Sequence, residues 1–290
     1  MIPATTTPAD PVPRPSGLGA LWPRRLPVIM GILNCTPDSF SDGGRFKSTA
    51  EAVAHGVQMV HNGADIIDIG GESTRPGAQP VSAGTEMDRV VPVIRDLKRR
   101  MPHTLVSVDT CKTQVAKAAL DAGADLVNDI TAGADARMLE TVASFGAGII
   151  LMHMRGQPRT MQENTTYSNV TDEVQAFLSL RAHQALEAGL PRNQVWLDPG
   201  IGFGKDDQAN VRLLADVPDL ATLGHAIVLG VSRKSMIGRL TRAKVEDRLP
   251  GSLAALTPAI AIPQSVVRVH DPHATLQFLE VLITLEEARR

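Results

Sequence analysis

The residues able to do chemistry fall into two kinds. Asp109, Asn128 and Asp198 are rich in hydrogen-bond acceptors. Two carboxylates and an amide suit a flat heterocycle with several N–H donors, such as a 2-amino-4-oxo pyrimidine edge. One carboxylate can accept two parallel N–H bonds from such an edge. Arg75, Lys234, Arg268 and His270 are basic, with Ser235 and Asn34 near them in the pattern. A phosphate or diphosphate needs such a set. Together the two kinds predict a substrate with a polar heterocycle at one end and an anionic leaving group at the other.

The elements that must position these residues repeat along the chain. Short apolar runs occur at PVIMGIL (27–33), DIIDIG (65–70), TLVSVD (104–109) and DLVND (125–129). They continue at AGIILMH (147–153), QVWLDP (194–199), AIVLGV (226–231) and SVVRVH (265–270). Each has the length and β-branched content of a strand buried on both faces. Longer segments with helical spacing lie between them, among them STAEAVAHGVQMVHNGA, with Ser48 or Thr49 as N-cap and Gly63 at the C-terminal end. The unusual polar residues sit where the runs end: Asn34, Asp109, Asn128, Asp129, His153, Asp198, then Ser232 to Ser235, then Arg268, His270 and Asp271.

Eight strands with helices between them predict an α/β fold, a single-domain (β/α)8 TIM barrel over 27–290, preceded by a mobile Pro-rich tail over 1–26. In such a barrel all eight of these ends converge on one face. Single residues such as Ser48 and Asp135 read as helix caps. Asp, Asn, Lys, Arg and His arriving together on one rim read as a site, because buried polar groups need partners. An open doubly wound sheet is the structural alternative, but its glycine-rich phosphate turn is missing after the first run, where NCTPDSFSDGG stands. GIGFGK (200–205) is followed by Asp206 and is not a P-loop.

Composition narrows the function classes. The chain has 290 residues, 43% hydrophobic and 21% charged, with a net charge of −2, so nothing draws it toward nucleic acid or an anionic membrane. Aromatics at 3% leave no stacking platform for bases. No apolar run reaches the roughly 18 residues of a membrane helix, and the first residues lack a signal peptide's apolar stretch. Two cysteines, Cys35 and Cys111, are too few for a secreted disulfide scaffold, which predicts a cytoplasmic protein. Both read as small apolar packing residues, and His153 as a structural histidine.

Read in order, GILNCTPDSFSDGG, DIIDIGGESTRPGA, SVDT, NDI, LMHMRGQPRTMQ, LDPGIGFGK, GVSRKSMIG and RVHD resemble the dihydropteroate synthases, a pterin-binding TIM-barrel family. The resemblance spans about residues 27–288. It implies a homodimeric transferase of folate biosynthesis that condenses 4-aminobenzoate with (7,8-dihydropterin-6-yl)methyl diphosphate, assisted by Mg2+. Carried over by motif, Asp109, Asn128, Met152, Asp198 and Lys234 would hold the pterin. Asn34, Arg75, Arg268 and His270 would hold the diphosphate, with Asn34 beside Mg2+. Phe40, Thr74, Pro76, Phe203 and Ser235 would frame the 4-aminobenzoate site, where sulfonamides compete. Asp109, Asp198, Lys234, Arg268 and His270 would be the catalytic set, acting on a pterin-methyl cation and its departing diphosphate. The loop after the first strand would close over the site and bring Phe40 with it. The chain departs from the family at Pro263-Gln264, at Pro272 and in the acidic stretch after Lys205, in a joint, a helix start and a loop. A methyltetrahydrofolate:corrinoid methyltransferase has no use for the diphosphate set, and a non-catalytic pterin-binding paralogue is the other alternative.

Overall fold

Strand side chains alternate between two faces, and here both faces are buried, which is why the runs are apolar at consecutive positions. The computed structural model describes residues 18–36, 48–73 and 77–289. Its strands are β1 (Val28–Asn34), β2 (Ile66–Gly70), β3 (Leu105–Asp109), β4 (Leu126–Asp129), β5 (Gly148–Met152), β6 (Val195–Asp198), β7 (Ala226–Leu229) and β8 (Ser265–Val269). They close a parallel barrel in chain order, β8 pairing with β1. Around it lie α1 (Thr49–His61), α2 (Ala83–Arg100), α3 (Thr113–Asp121), α4 (Met138–Ser144), α5 (Val170–Glu187), α6 (Asp207–Asp216), α7 (Ser235–Thr241), α8 (Leu249–Ala254) and α9 (Pro272–Glu287). The expected TIM barrel is therefore the fold, and each of the eight apolar runs supplies one strand.

Ile29, Ile67, Val106, Val127, Ile149, Leu197, Ile227 and Val267 share one hydrophobic cluster with Val53, Leu97, Val115, Leu178 and Leu279 of the helices. Met30, Ile66, Leu105, Leu126, Ile150, Trp196, Val228 and Val266 form a second cluster, the barrel's own interior. The interior is packed, not open, as in other barrels of this kind.

Local chemistry sets the element boundaries. Ser48 Oγ accepts from Glu51 N at 3.3 Å and starts α1, as its sequence position predicts. Ser82, Asn169 and Asp206 do the same for α2, α5 and α6. The repeated Gly-Ala-Asp joint has a double role. Its glycine takes the turn out of the helix, Gly63 at φ 97°. Its aspartate then ties the next strand to its neighbour: Asp65 Oδ2 accepts from Ile29 N at 2.9 Å, and Asp125 Oδ2 from Val106 N at 2.8 Å.

Residues 18–26 depart from the expected tail. Leu18, Leu21 and Trp22 pack against the interior cluster at the N-terminal end of the barrel. Gly148 leaves the room: a Cβ there would come within 2.4 Å of Leu18 Cδ1. Arg24 pairs with Asp65 at 3.0 Å, and Arg25 with Glu287 at 2.9 Å. The proline-rich composition hid an amphipathic turn, LGALW, whose apolar side chains cap the barrel floor. Residues 1–17 lie outside the described residues. Among those described, no helix is long and apolar enough to cross a membrane.

Candidate active site

The inward-facing rows that begin as Met30, Ile66, Leu105, Leu126, Ile150, Trp196, Val228 and Val266 change character two residues on. Ile32 on β1 stays apolar, while the other seven become Asp68, Ser107, Asn128, Met152, Asp198, Gly230 and Arg268, and on β3 the next step is Asp109. Parity thus aims every one of these at the barrel axis near its C-terminal face. A pocket there is lined by Asp109, Asn128, Met152, Asp198, Lys234 and Arg268, with Ile130, Ile201 and Phe203 as apolar walls. Six residues that the sequence assigns to chemistry, and Phe203 with them, meet in one place.

Arg268 takes an unexpected position. The resemblance gives it to the diphosphate, yet its guanidinium lies down into the pocket. Nε donates to Asp68 Oδ2 at 2.6 Å and Nη2 to Asp109 Oδ2 at 2.6 Å. Burial works against its charge, and the two carboxylates more than offset that, so its pKa is raised. Asp109 is pushed upward by burial, against the pull of Arg268. Asp68 also accepts from Asn128 Nδ2 at 3.1 Å, and it is fully buried. Sequence reasoning passed over Asp68. The available signal was an acid in mid-strand, in DIIDIG, at the same parity as Ile66. Asp68 Oδ1 and Ser107 Oγ, on register partners of β2 and β3, have no hydrogen-bond partner among the described residues.

Across the pocket, Asp198 Oδ1 accepts from Gly200 N at 2.7 Å. Burial raises its pKa, opposed by that bond and by Lys234. Lys234 is lowered to about 8 by burial, opposed by Asp198. Its Nζ stands 4.0 Å from the Phe203 ring centroid, a cation–π contact. The pocket therefore has carboxylate acceptors on two sides, an amide, two cations and an aromatic wall.

The remaining candidates spread over the rim. Asn34 ends β1 beside Gly70, and Ser235 opens α7; neither lines the pocket. His270 Nδ1 lies 3.0 Å from Ser232 Oγ. Arg233 and Asp271 engage each other through bonds of 2.7 and 3.1 Å, joining the β7 and β8 ends. Lys112 bonds Glu72 and, at 2.5 Å, Glu86, anchoring the root of the β2–α2 connection. Phe40, Thr74, Arg75 and Pro76 lie outside the described residues. His153 is buried, and burial lowers its pKa to about 3, so it stays neutral. Burial raises the Cys35 thiol to about 12 and Cys111 to about 11, so neither is a thiolate nucleophile near neutral pH.

The C-terminal face of this parallel barrel gathers acid, amide and lysine around one pocket, and residues 30–270 match the pterin binding enzyme family. The chain is 46% identical over 263 residues to the dihydropteroate synthase of Streptococcus pyogenes serotype M6, covering 89% of this chain and 95% of that one. It superposes on Xanthomonas albilineans dihydropteroate synthase with 4-aminobenzoic acid at a TM-score of 0.83 and 43% identity, over 90% and 93% of the two chains. The Yersinia pestis dihydropteroate synthase in a sulfonamide drug complex gives 0.86 and 40%, over 90% and 95%. The chain belongs to the dihydropteroate synthases within the pterin-binding enzyme family.

Proposed function

We infer that the protein is a transferase that condenses 4-aminobenzoate with (7,8-dihydropterin-6-yl)methyl diphosphate, releasing 7,8-dihydropteroate and diphosphate. The observation that carries this reading is the pocket itself: Asp109, Asn128, Asp198 and Lys234 around one slot, in a chain of this family. Asn128 and Asp198 face the slot with acceptors suited to the amino and ring N–H groups of a pterin. Met152 supplies an apolar face for the pterin ring in the same pocket. Lys234 and Arg268 line the pocket and are the cations for the leaving diphosphate, with Asn34 at the end of β1 and His270 just after β8. Arg75 joins that set, and Phe40, Thr74, Pro76, Phe203 and Ser235 frame 4-aminobenzoate and the sulfonamides that mimic it.

The reaction breaks the C–O bond to diphosphate, whose oxygen keeps the electron pair. The methylene left behind is a cation delocalised into the pterin. Asp109 and Asp198 stabilise it by fixed negative charge, and Lys234 and Arg268 stabilise the leaving diphosphate. Preorganised groups of this kind contribute about 3–4 kcal/mol each. The amine of 4-aminobenzoate then attacks with its lone pair and gives up a proton to solvent. No side chain need act as a nucleophile.

Magnesium fits as an ion carried by the substrate. Mg2+ commonly takes one or two protein oxygens and completes its shell with water and phosphate. Asn34 offers such an oxygen at the end of β1, and among the described residues no cluster of three His, Cys, Asp or Glu forms a protein cage. Bound there, Mg2+ would supply charge that neutralises the diphosphate. A cytoplasmic homodimer completes the reading. Mixing purified protein with both substrates and Mg2+ should release diphosphate in step with dihydropteroate. Binding of the pterin without any release overturns the synthase reading in favour of a binding-only paralogue.

A further inference from the structure

GIGFGK carries a lysine that the reaction above leaves unused. Lys205 is 1% exposed, among the largest fully buried side chains of the protein. A buried ammonium is costly unless it is paired, yet Lys205 forms no ion pair among the described residues. Its Nζ instead meets three acceptors: His153 Nδ1 at 2.9 Å, Gly200 O at 2.9 Å and Phe203 O at 3.0 Å. That is one acceptor for each ammonium proton. The His153 ring must then accept at Nδ1, which its neutral form allows.

The chain between Gly200 and Lys205 wraps round this cation. Gly200, Gly202 and Gly204 all have positive φ, which turns the carbonyls of Gly200 and Phe203 inward. Gln162 Nε2 and Tyr167 Oη, from the β5–α5 connection, hold Gly202 O and Gly204 O from outside. Each part of the loop that Lys205 gathers touches the pocket. The N–H of Gly200 holds Asp198 Oδ1, the ring of Phe203 lies under Lys234, and the Lys234 chain packs at Gly202.

We propose that Lys205 is a positioning residue of the synthase reaction: its protonated amine shapes the β6–α6 loop so that Asp198 and Phe203 stand correctly in the pocket, and its charge faces Asp198. The proposal rests on the function inferred above. The charged and titratable groups that face Lys205 are Asp198, Lys234, Arg155 and the neutral His153. Asp198 favours the ammonium; Lys234 and Arg155 disfavour it. Burial dominates and brings Lys205 down to about 7, so the pin titrates in the working range of a cytoplasmic enzyme. As the amine loses its proton, two N–H groups remain for three acceptors. Converging carbonyls then lose their cation, and buried Asp198 loses one of the three cations that favour its charge, Lys234, Arg268 and Lys205.

The test uses the full-length enzyme and Lys205→Met, which keeps the length of the side chain and removes its donors. In wild type, kcat/KM for the pterin diphosphate should fall as pH rises through about 7. In Lys205→Met that limb should move toward about 8, where Lys234 titrates. The KM for the pterin diphosphate should rise by at least about tenfold at the optimum. A lysine that only closes a loop would lower the melting temperature and leave the limb in place; an unmoved limb with unchanged KM overturns the proposal. Should Lys205→Met not fold, NMR titration of wild-type protein carrying 13C-labelled lysine decides. A Lys205 pKa that coincides with the kinetic limb supports the proposal, and one that does not sinks it. Failure of the wild type to turn over counts against the synthase reading alone, since pterin binding followed against pH reports on Lys205 without turnover.

Discussion

At the scale of single residues, the site works by opposed charges that burial prevents from relaxing. Asp198 illustrates this. It is 6% exposed, accepts one backbone N–H and feels the positive charges of Lys234, Arg268 and Lys205. Substitution by Asn keeps the size and one acceptor oxygen for Gly200, so the loop retains its bond. What disappears is the negative charge beside the developing cation. Turnover of Asp198→Asn should fall by at least about a hundredfold, and Lys234→Ala should match it from the leaving-group side. Steady-state kinetics with both substrates saturating, alongside an unfolding midpoint near wild type, checks this. Near-wild-type turnover in either variant would remove that residue from the catalytic set. Asp68 supports the same balance from below. One oxygen of this buried carboxylate accepts from both Arg268 and Asn128 and so ties the two together beside the pocket.

At the scale of elements, the loop after β6 concentrates the constraints. Gly200 has φ 66°, and a Cβ there would sit 1.9 Å from His153 O, a backbone atom that cannot step aside. Gly146 has nearly the same φ, 64°, with nothing within 4 Å. Gly146→Ala should cost only the left-handed penalty of about 1–2 kcal/mol. Gly200→Ala should cost that plus the clash, at least about 2 kcal/mol more, in the exceptional range for one substitution. Urea unfolding of the pair isolates the steric contribution, and equal losses would mean that the loop can shift away from β5. Much of this element was legible beforehand. Strands with both faces buried must be apolar at successive positions, so the eight runs announced themselves, and their polar ends followed. Asp68 was hidden because the parity it shares with Ile66 marks it as inward only once that face is known to be the barrel interior. The partners of Lys205 were hidden because His153 is 52 residues away and its role depends on which strands are neighbours. Arg268 was assigned by motif to the anion, and only the closed barrel shows that two carboxylates can reach it first.

At the scale of the whole molecule, the barrel has a working end and a closed end, separated by its interior cluster. The C-terminal face spends stability on buried charge. The opposite face recovers some of it by burying Leu18, Leu21 and Trp22 under the strands. Leu18 is 7% exposed and fills the space that Gly148 leaves open. Removing its side chain should create a void against Leu126 and β5, because the strands cannot collapse inward without breaking the barrel. Leu18→Ala should therefore cost about 3 kcal/mol, within the range for buried leucines. The melting temperature should fall by roughly 6–12 °C in a domain of this size. Turnover at low temperature should stay at the wild-type value, because the layer of Met30, Ile66, Ile150 and Trp196 stands between this end and the site. Thermal unfolding followed by circular dichroism, with kinetics on the same preparation, separates the two effects. An unchanged melting temperature would mean that residues 18–22 lie on the barrel without stabilising it, and lost turnover with retained stability would mean that the two ends are coupled through the interior.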